Sequence, residues 1–305
     1  MGIAVTEAKE RHVPVMVQEV MECLDLHPAM TVVDATVGHG GHAREILQRI
    51  GREGTLIACD WDEGVLQQAR ENLKDLPGTK IFLHRDYRDL PEWLKEHYPE
   101  GVDAILMDLG VCLEHLQDPE RGFSFLVDAP LDMRFNPQQH ETASAWLGRV
   151  SEPELVRVLK EYGGERYAGP IARAILQRRR RGELKRTTDL VSAVLEAVPP
   201  HRRERRIHPA TRTFQAIRIA VNRELEGLKE AVENLARCLK ARGRMVVLSY
   251  HSGEDREVKL AFRNLMRTGL FSLLNRTPLT PSREEVERNP RSRSAKLRAL
   301  LRGEV

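Results

Sequence analysis

The sequence predicts an α/β protein, a doubly wound and mainly parallel sheet interrupted by a helical insertion of roughly a hundred residues. Three observations predict it. Short β-branched or apolar runs alternate with helical patterns over the first hundred residues. The alternation stops after Asp108 and gives way to helix-forming segments alone. It then resumes with "RMVVLSYH" (244–251).

The strands are expected at "TVVDA" (31–35), "TLIACD" (55–60), "KIFLH" (80–84) and "DAILMD" (103–108). Between them "AREILQRI", "EGVLQQARENLKDL" and "PEWLKEHY" carry apolar residues at helical spacing. The insertion reads as "SEPELVRVLKEYG", "GPIARAILQRRRRG" and "TTDLVSAVLEAV"; Ser151 and Glu154 open the first of these and Gly163 ends it. One long amphipathic helix is expected over 210–239, then the strand at 244–251 and a helix at "EDREVKLAFRNLM". The last apolar runs, "LFSLLN" and "AKLRALL", are placed to close the sheet. The expected division is a sheet domain over 1–112, an inserted helical domain over 113–209, and the rest of the sheet domain over 210–305.

Apolar residues make up 41% of the 305 and the net charge is only +3. That small charge hides a concentration. Between Arg173 and Arg212 twelve bases face four acids, a surplus of +8 that leaves −5 on the rest. Such a patch points to a polyanionic partner. Cys23, Cys59, Cys112 and Cys238 show no paired metal-ligand spacing and read as free thiols of a reducing, cytoplasmic setting. No run approaches the roughly 18 apolar residues of a membrane span, so no membrane partner is expected.

The stretch "VVDATVGHGGHA" (32–43) is the candidate ligand loop. Gly38, Gly40 and Ala43 fit a dinucleotide fingerprint, but Asp34, Ala35, Thr36 and Val37 come before the first glycine. Asp34, Asp60 and Asp108 each end a strand, and no Lys or Arg lies between Asp34 and His42. A diphosphate beside these carboxylates would meet repulsion on the order of 1 to 4 kcal/mol per close pair. S-adenosylmethionine has no phosphate and carries a sulfonium and an ammonium, so the same carboxylates favour it. Asp60 is placed to accept from the ribose hydroxyls. A tight structural turn and a nicotinamide site remain the alternatives; His39 and His42 lack a third metal ligand, so no metal is expected.

A wider set of segments occurs in order: "HVPVMVQEVMECL", "VDATVGHGGHA", "DLGV", "RGFSFLVDAPLDMRF", "YGGERYAGPIARAI", "HPATRTFQAIRIAVNRELEGL", "SYHSGEDREVK" and "NPRSRSAKLRAL". Together they resemble the bacterial RsmH (MraW) family of small-subunit ribosomal RNA (cytosine-N4)-methyltransferases over nearly the whole chain. The resemblance implies a class I, Rossmann-like, S-adenosylmethionine-dependent methyltransferase sheet with an inserted all-helical recognition domain. It implies methylation of a cytidine amine in 16S RNA near the decoding centre. It also implies cofactor contacts at Gly40, Gly41, His42, Asp60, Tyr87, Asp108 and His115. The chain departs from the family at Cys112 and Leu113, where two serines are usual, at Gly253 in place of leucine, and at Tyr250, where phenylalanine is common.

A cytosine amine is a poor nucleophile because its lone pair is delocalised into the ring. The reaction therefore needs in-line orientation and an acceptor for the amine hydrogens. Asp108 is the first candidate acceptor; His251 and Glu254 follow, although "HSGED" also reads as a helix start capped by Ser252 with Asp255. Attack by Cys112 on C6, giving C5 methylation, is the rival mechanism. Arg134 in "PLDMRF" is expected either to pair with Asp132 or to line the RNA cleft. Arg202, Arg203, Arg205 and Arg206, with Arg212 and Gln215, are expected to contact RNA, the arginines through phosphates. The expected partner is the small ribosomal subunit or its 16S RNA, and a homodimer is open to the chain. A DNA amino-methyltransferase, a dehydrogenase and a non-catalytic assembly factor are the competing classes.

Overall fold

A computed structural model describes residues 14–110, 118–139, 141–204 and 207–304. The strands are β1 (Thr31–Asp34), β2 (Thr55–Asp60), β3 (Thr79–His84), β4 (Val102–Asp108), β5 (Leu239–Ser249), β6 (Phe271–Leu273) and β7 (Lys296–Arg302). They form one sheet in the order β3-β2-β1-β4-β5-β7-β6. The first five run parallel, and β7 lies antiparallel between β5 and β6. Side chains alternate between two apolar layers, as a pleated strand requires. Val33, Ile57, Ile105 and Val247 face one layer; Val32, Leu56, Leu106 and Val246 face the other. Burial on both faces is why these strands read as continuous apolar runs.

Helices α1 (Val17–Leu24), α2 (Gly41–Ile50) and α3 (Glu63–Leu73) cover one face. Helix α4 (Leu90–His97) covers the other, with α10 (Leu228–Arg237) and α11 (Ser252–Arg267). A short α12 (Arg283–Arg288) precedes β7, and Met16 N–H donates to its Glu285 at 2.7 Å. The order reverses between β1 and β4, so their carboxyl ends open the crevice in which such sheets bind ligands.

Helices α5 (Ala143–Arg149), α6 (Glu152–Glu161), α7 (Ala168–Arg180), α8 (Thr187–Ala197) and α9 (Thr211–Asn222) enclose a separate core around Trp146, Leu155, Ile171, Leu190 and Phe214. Ser151 caps α6 by accepting from Glu154 N–H. The expected division at residue 209 separates α9 from the helices it packs with. Ala210, Phe214, Ile217 and Val221 all lie in the helical core, so the chain returns to the sheet only after Asn222.

The single helix expected over 210–239 is two helices. Arg223 adopts a left-handed φ of 50°, and the N–H of Glu224 donates to the Ile219 carbonyl, closing the end of α9. Gly227, at φ 70°, then turns the chain into α10. The break turns Glu224 inward, and its side chain is only 8% exposed. No helix among the described residues is long and apolar enough to cross a membrane.

Candidate active site

The loop after β1 is shaped by the acid that ends β2. Asp60 accepts from Gly38 N–H and from Asp62 N–H, each at 2.9 Å. Gly38 and Gly40 are left-handed, at φ 53° and 85°. At Gly40 a Cβ would also lie 3.0 Å from the Leu73 side chain, and at Gly41 one would lie 3.1 Å from Pro14. A dinucleotide loop aims its amides at a pyrophosphate. Here the Gly38 amide is already given to a carboxylate. Asp62 caps α3 through Gly64 and Val65 N–H and pairs with Arg121 at 2.9 Å.

Asp34 does not stand on the rim beside Asp60 and Asp108, as the sequence suggested. It is 1% exposed and does not line the crevice. Burial pushes its carboxyl up to about 7, against the opposing effects of His42 and the Thr36 N–H. His42 is buried as well, with Nε2 2.9 Å from the Val15 carbonyl and Nδ1 3.4 Å from Asp108. Burial alone would lower its pKa. The bond and charge of Asp108, with Asp34 and the Val15 carbonyl, hold it above the ordinary histidine range.

Asp108 ends β4, where its N–H donates to Thr36 Oγ1 at 2.7 Å. Its carboxylate accepts from the Tyr250 hydroxyl at 2.7 Å, so the sheet's fourth and fifth strands share one acceptor. Burial and the Asp108 charge push the Tyr250 hydroxyl far above its usual range, and it stays a donor. Gly110 follows at φ 110°, and a Cβ there would meet the Tyr250 ring at 3.1 Å. Tyr87 also lines the crevice, and burial pushes its hydroxyl up.

Arg88 beside it pairs with Asp86 at 2.6 Å, lies over the Trp61 ring, and donates to the Arg223 and Glu226 carbonyls. It therefore ties the β3–α4 loop to the α9–α10 turn.

A second set of groups closes the crevice from the far side. Arg218 on α9 grips Glu224 with two bonds of 2.8 Å. Burial still raises the Glu224 carboxyl above the usual range. The start of α11 is capped by His251, not Ser252. His251 Nδ1 accepts from Gly253 N–H and Glu254 N–H at 3.2 and 3.4 Å. Glu254 in turn accepts from Tyr250 N–H and His251 N–H. Asp255, expected in the cap, instead pairs with Lys296 and Arg298 on β7.

This geometry corrects the reading of His251 as a proton acceptor. An Nδ1 that accepts from two amides carries no hydrogen, so the ring's hydrogen sits on Nε2. Glu224, His251 and Glu254 bring ligand-type atoms within 4.8 Å of one another. A cation there would need Nε2 bare and Glu224 released from Arg218, so the donor set does not suit one.

The crevice between these two sides holds about 600 Å³ and reaches Gln215 and Asn222 on α9 and Arg291 and Arg293 before β7. Phe135 contributes a wall, held by its N–H to Asn222 Oδ1 at 2.7 Å.

The expected RNA contacts divide. Arg134 is spent inside its own loop, on both oxygens of Asp132 and on the Pro137 and Gln139 carbonyls. Of the two roles expected for it, the structure gives the pair with Asp132. Arg203 donates to the Leu195 and Val198 carbonyls at the end of α8. Arg212 pairs with Glu204 at 2.7 Å. Arg202 is exposed, and Gln215 lines the crevice. Arg202, Arg203 and Arg212 share a second hollow of about 540 Å³ with Arg166, His201 and His208. His115, Cys112, Leu113, Arg205 and Arg206 lie outside the described residues. Sequence reasoning missed Arg218, Glu224, Trp61 and Arg88. The "ELEGL" run, with its helix-breaking Gly227, was the available sign that the helix turns here.

A seven-stranded sheet in this order, with an antiparallel β7 and a carboxylate-lined crevice at the switch point, defines the class I methyltransferase fold. The chain belongs to the MraW methylase family, whose pattern matches residues 9–302. It is 49% identical to a protein named Ribosomal RNA small subunit methyltransferase H from Thermotoga neapolitana, over 94% of this chain and 95% of that one. A protein of the same name from Koribacter versatilis is 43% identical over 95% of this chain and 94% of its own. A solved SAM-dependent O-methyltransferase from Thermotoga maritima shares 11% identity at a TM-score of 0.44, over 97% of this chain and 69% of that one. That likeness is too loose to add to the topology.

Proposed function

We propose that this chain transfers a methyl group from S-adenosylmethionine to the N4 amine of a cytidine in 16S RNA, near the decoding centre of the small ribosomal subunit. Its setting is the cytoplasm. The observation that carries the reading is Asp108, a carboxylate on the crevice wall, oriented from two sides by Tyr250 and His42. The names of the relatives support an RNA of the small subunit as substrate.

The crevice suits the cofactor. Its volume of about 600 Å³ is in the range that holds small molecules. Asp60 and Asp108 favour a cationic ligand over a phosphate. Gly40, Gly41 and His42 at the start of α2, with Asp60 and Tyr87, would hold it. When bound, the cofactor supplies an electrophilic methyl on a sulfonium.

The chain's own residues do the rest. Asp108 accepts a hydrogen of the target amine, which turns the nitrogen lone pair out of conjugation, and takes the proton released after transfer. Tyr250 and His42 fix the direction of that carboxylate, so orientation is set before the base arrives. Leu109, Phe135 and Leu228 line the crevice and keep water from the amine. The phosphates of the RNA meet the arginine-rich helical unit.

The test incubates the purified protein with methyl-labelled S-adenosylmethionine and unmethylated small subunits, with naked RNA alongside, and maps the product by mass. N4-methylcytidine at one position is expected, lost at least a hundredfold in Asp108→Asn. Label on C5, or no transfer by the folded wild type, overturns the reading.

A further inference from the structure

We propose that Arg293, on the turn at 290–294 before β7, holds a phosphate that flanks the target nucleotide as its base enters the crevice. The inference rests on the methyl-transfer reading above. It places a backbone contact on the sheet unit, apart from the arginine-rich helical one. Three observations carry it.

The guanidinium is uncommitted. The stretch "NPRSRSAK" (289–296) holds Arg291, Arg293 and Lys296 and no acid. Cations to either side are engaged within the protein. Arg283 pairs with Glu287, Arg288 donates to the Glu284 carbonyl, and Lys296 and Arg298 pair with Asp255. Arg293 is exposed and makes no hydrogen bond or ion pair among the described residues. It nevertheless lines the crevice, with Arg291 and Ser294.

The turn that carries it is fixed. Ser292, between the two arginines in sequence, is fully buried. Its Oγ and its N–H both donate to the Asn289 carbonyl, at 2.8 and 2.9 Å. Its own carbonyl accepts from Ala295 N–H at 2.7 Å, and Pro290 fixes φ at the start of the turn. A backbone set in advance has little freedom left to lose when a ligand binds.

The sheet spaces the turn from the reacting acid. Asp108 on β4 stands across from Leu248 on β5, and Leu248 stands across from Leu297 on β7. Two strand spacings put the start of β7 about 10 Å from Asp108. That is comparable to the reach of one nucleotide from the amine of its base to its phosphate. Asp60 ends β2, which lies two strands to the other side of β4. The cofactor end and the turn thus flank Asp108 on opposite sides. Asp60 and Asp108 repel a phosphodiester from the cofactor end, whereas the turn offers cations alone.

The test is a cycle of one protein change and one backbone change. Arg293→Ala removes the cation from an exposed site. In the substrate, a neutral methylphosphonate replaces each phosphate flanking the target in turn, in ligated 16S RNA assembled into small subunits. The adjoining sugar hydroxyl is methylated there and in the phosphate controls. Arg293→Ala is expected to lower kcat/KM about tenfold through the KM for subunits, with the KM for S-adenosylmethionine unchanged. One of the two neutral linkages should cost the wild type a similar factor and cost Arg293→Ala nothing further. Losses that multiply at both linkages, or an Arg293→Ala enzyme as fast as wild type, overturn the proposal. So does a rise in the KM for cofactor alone, which would give Arg293 to the methionine carboxylate. Should the variant melt early, the wild type decides: full rates on both neutral linkages overturn it. Failure of wild type to make N4-methylcytidine on unmodified subunits would instead remove the methyl-transfer reading beneath it.

Discussion

Asp34 lies beneath the candidate active site as an acid whose burial raises its carboxyl to about 7. Its folded-state pKa of about 7 stands above the unfolded value of 3.8, so the folded chain binds the proton more tightly. The associated stability is complete below about pH 4 and is lost as pH rises through 7. Its size is on the order of 4 kcal/mol, at about 1.4 kcal/mol per pH unit. His42, also raised, runs in the same direction. Asp34→Asn keeps an oxygen for the Thr36 N–H and removes the titration. Thermal melts from pH 4 to 9 should show the variant gaining on wild type as pH rises; parallel curves would refute this. Arg134 gives a second prediction. With four hydrogen bonds inside its own loop, it is a staple, so Arg134→Ala should cost about 2–3 kcal/mol of stability. It should leave the salt dependence of RNA binding unchanged, as titrations at several salt concentrations would show.

The junction of α9 and α10 is where sequence and structure part most clearly. Phe214, Ile217, Val221, Leu228, Val232 and Leu235 keep a helical spacing across the break, so periodicity alone sees one helix. Only the left-handed Arg223 and Gly227 reveal two, and these are properties of the backbone rather than of hydrophobic pattern. Glu224 and Arg218 went unassigned for the same reason. The strands were legible because burial on both sides leaves uninterrupted apolar runs, and the acids ending β2 and β4 were legible as strand-terminal carboxylates. Asp34 was read correctly in position and wrongly in exposure, since nothing local to it shows that the loop folds over it. Arg88 holds the α9–α10 turn to the β3–α4 loop through two carbonyls. Arg88→Ala should therefore cost about 2 kcal/mol and raise KM for cofactor and RNA together. A KM effect on one substrate alone would count against the tie.

At the scale of the molecule, charge and chemistry occupy different units. The stretch from Arg173 to Arg212 carries a surplus of +8 while the remainder carries −5. The crevice lies between that helical unit and the sheet's carboxyl ends. Not all of the bases remain available, because Arg178, Arg203 and Arg212 are engaged within the protein. Exposed Arg202 should act on RNA through phosphate alone. Arg202→Ala is expected to weaken binding to all RNA sequences and to lower the slope of log K against log salt by about 0.9 or less. An unchanged slope would exclude it.

The order in which the crevice is put together has a further consequence. Its walls come from Pro14 and Val15, from residues 35–110, from Phe135 and α9 of the helical unit, and then from residues 224–254 and 290–294. A chain emerging from the ribosome presents the glycine loop and Asp108 long before Tyr250 and His251 exist to complete them. The hydroxyl that aims the carboxylate and the imidazole that caps the next helix arrive together, from one strand end. An unfinished chain therefore lacks both at once, and methyl transfer to a base must await the sheet's fifth strand.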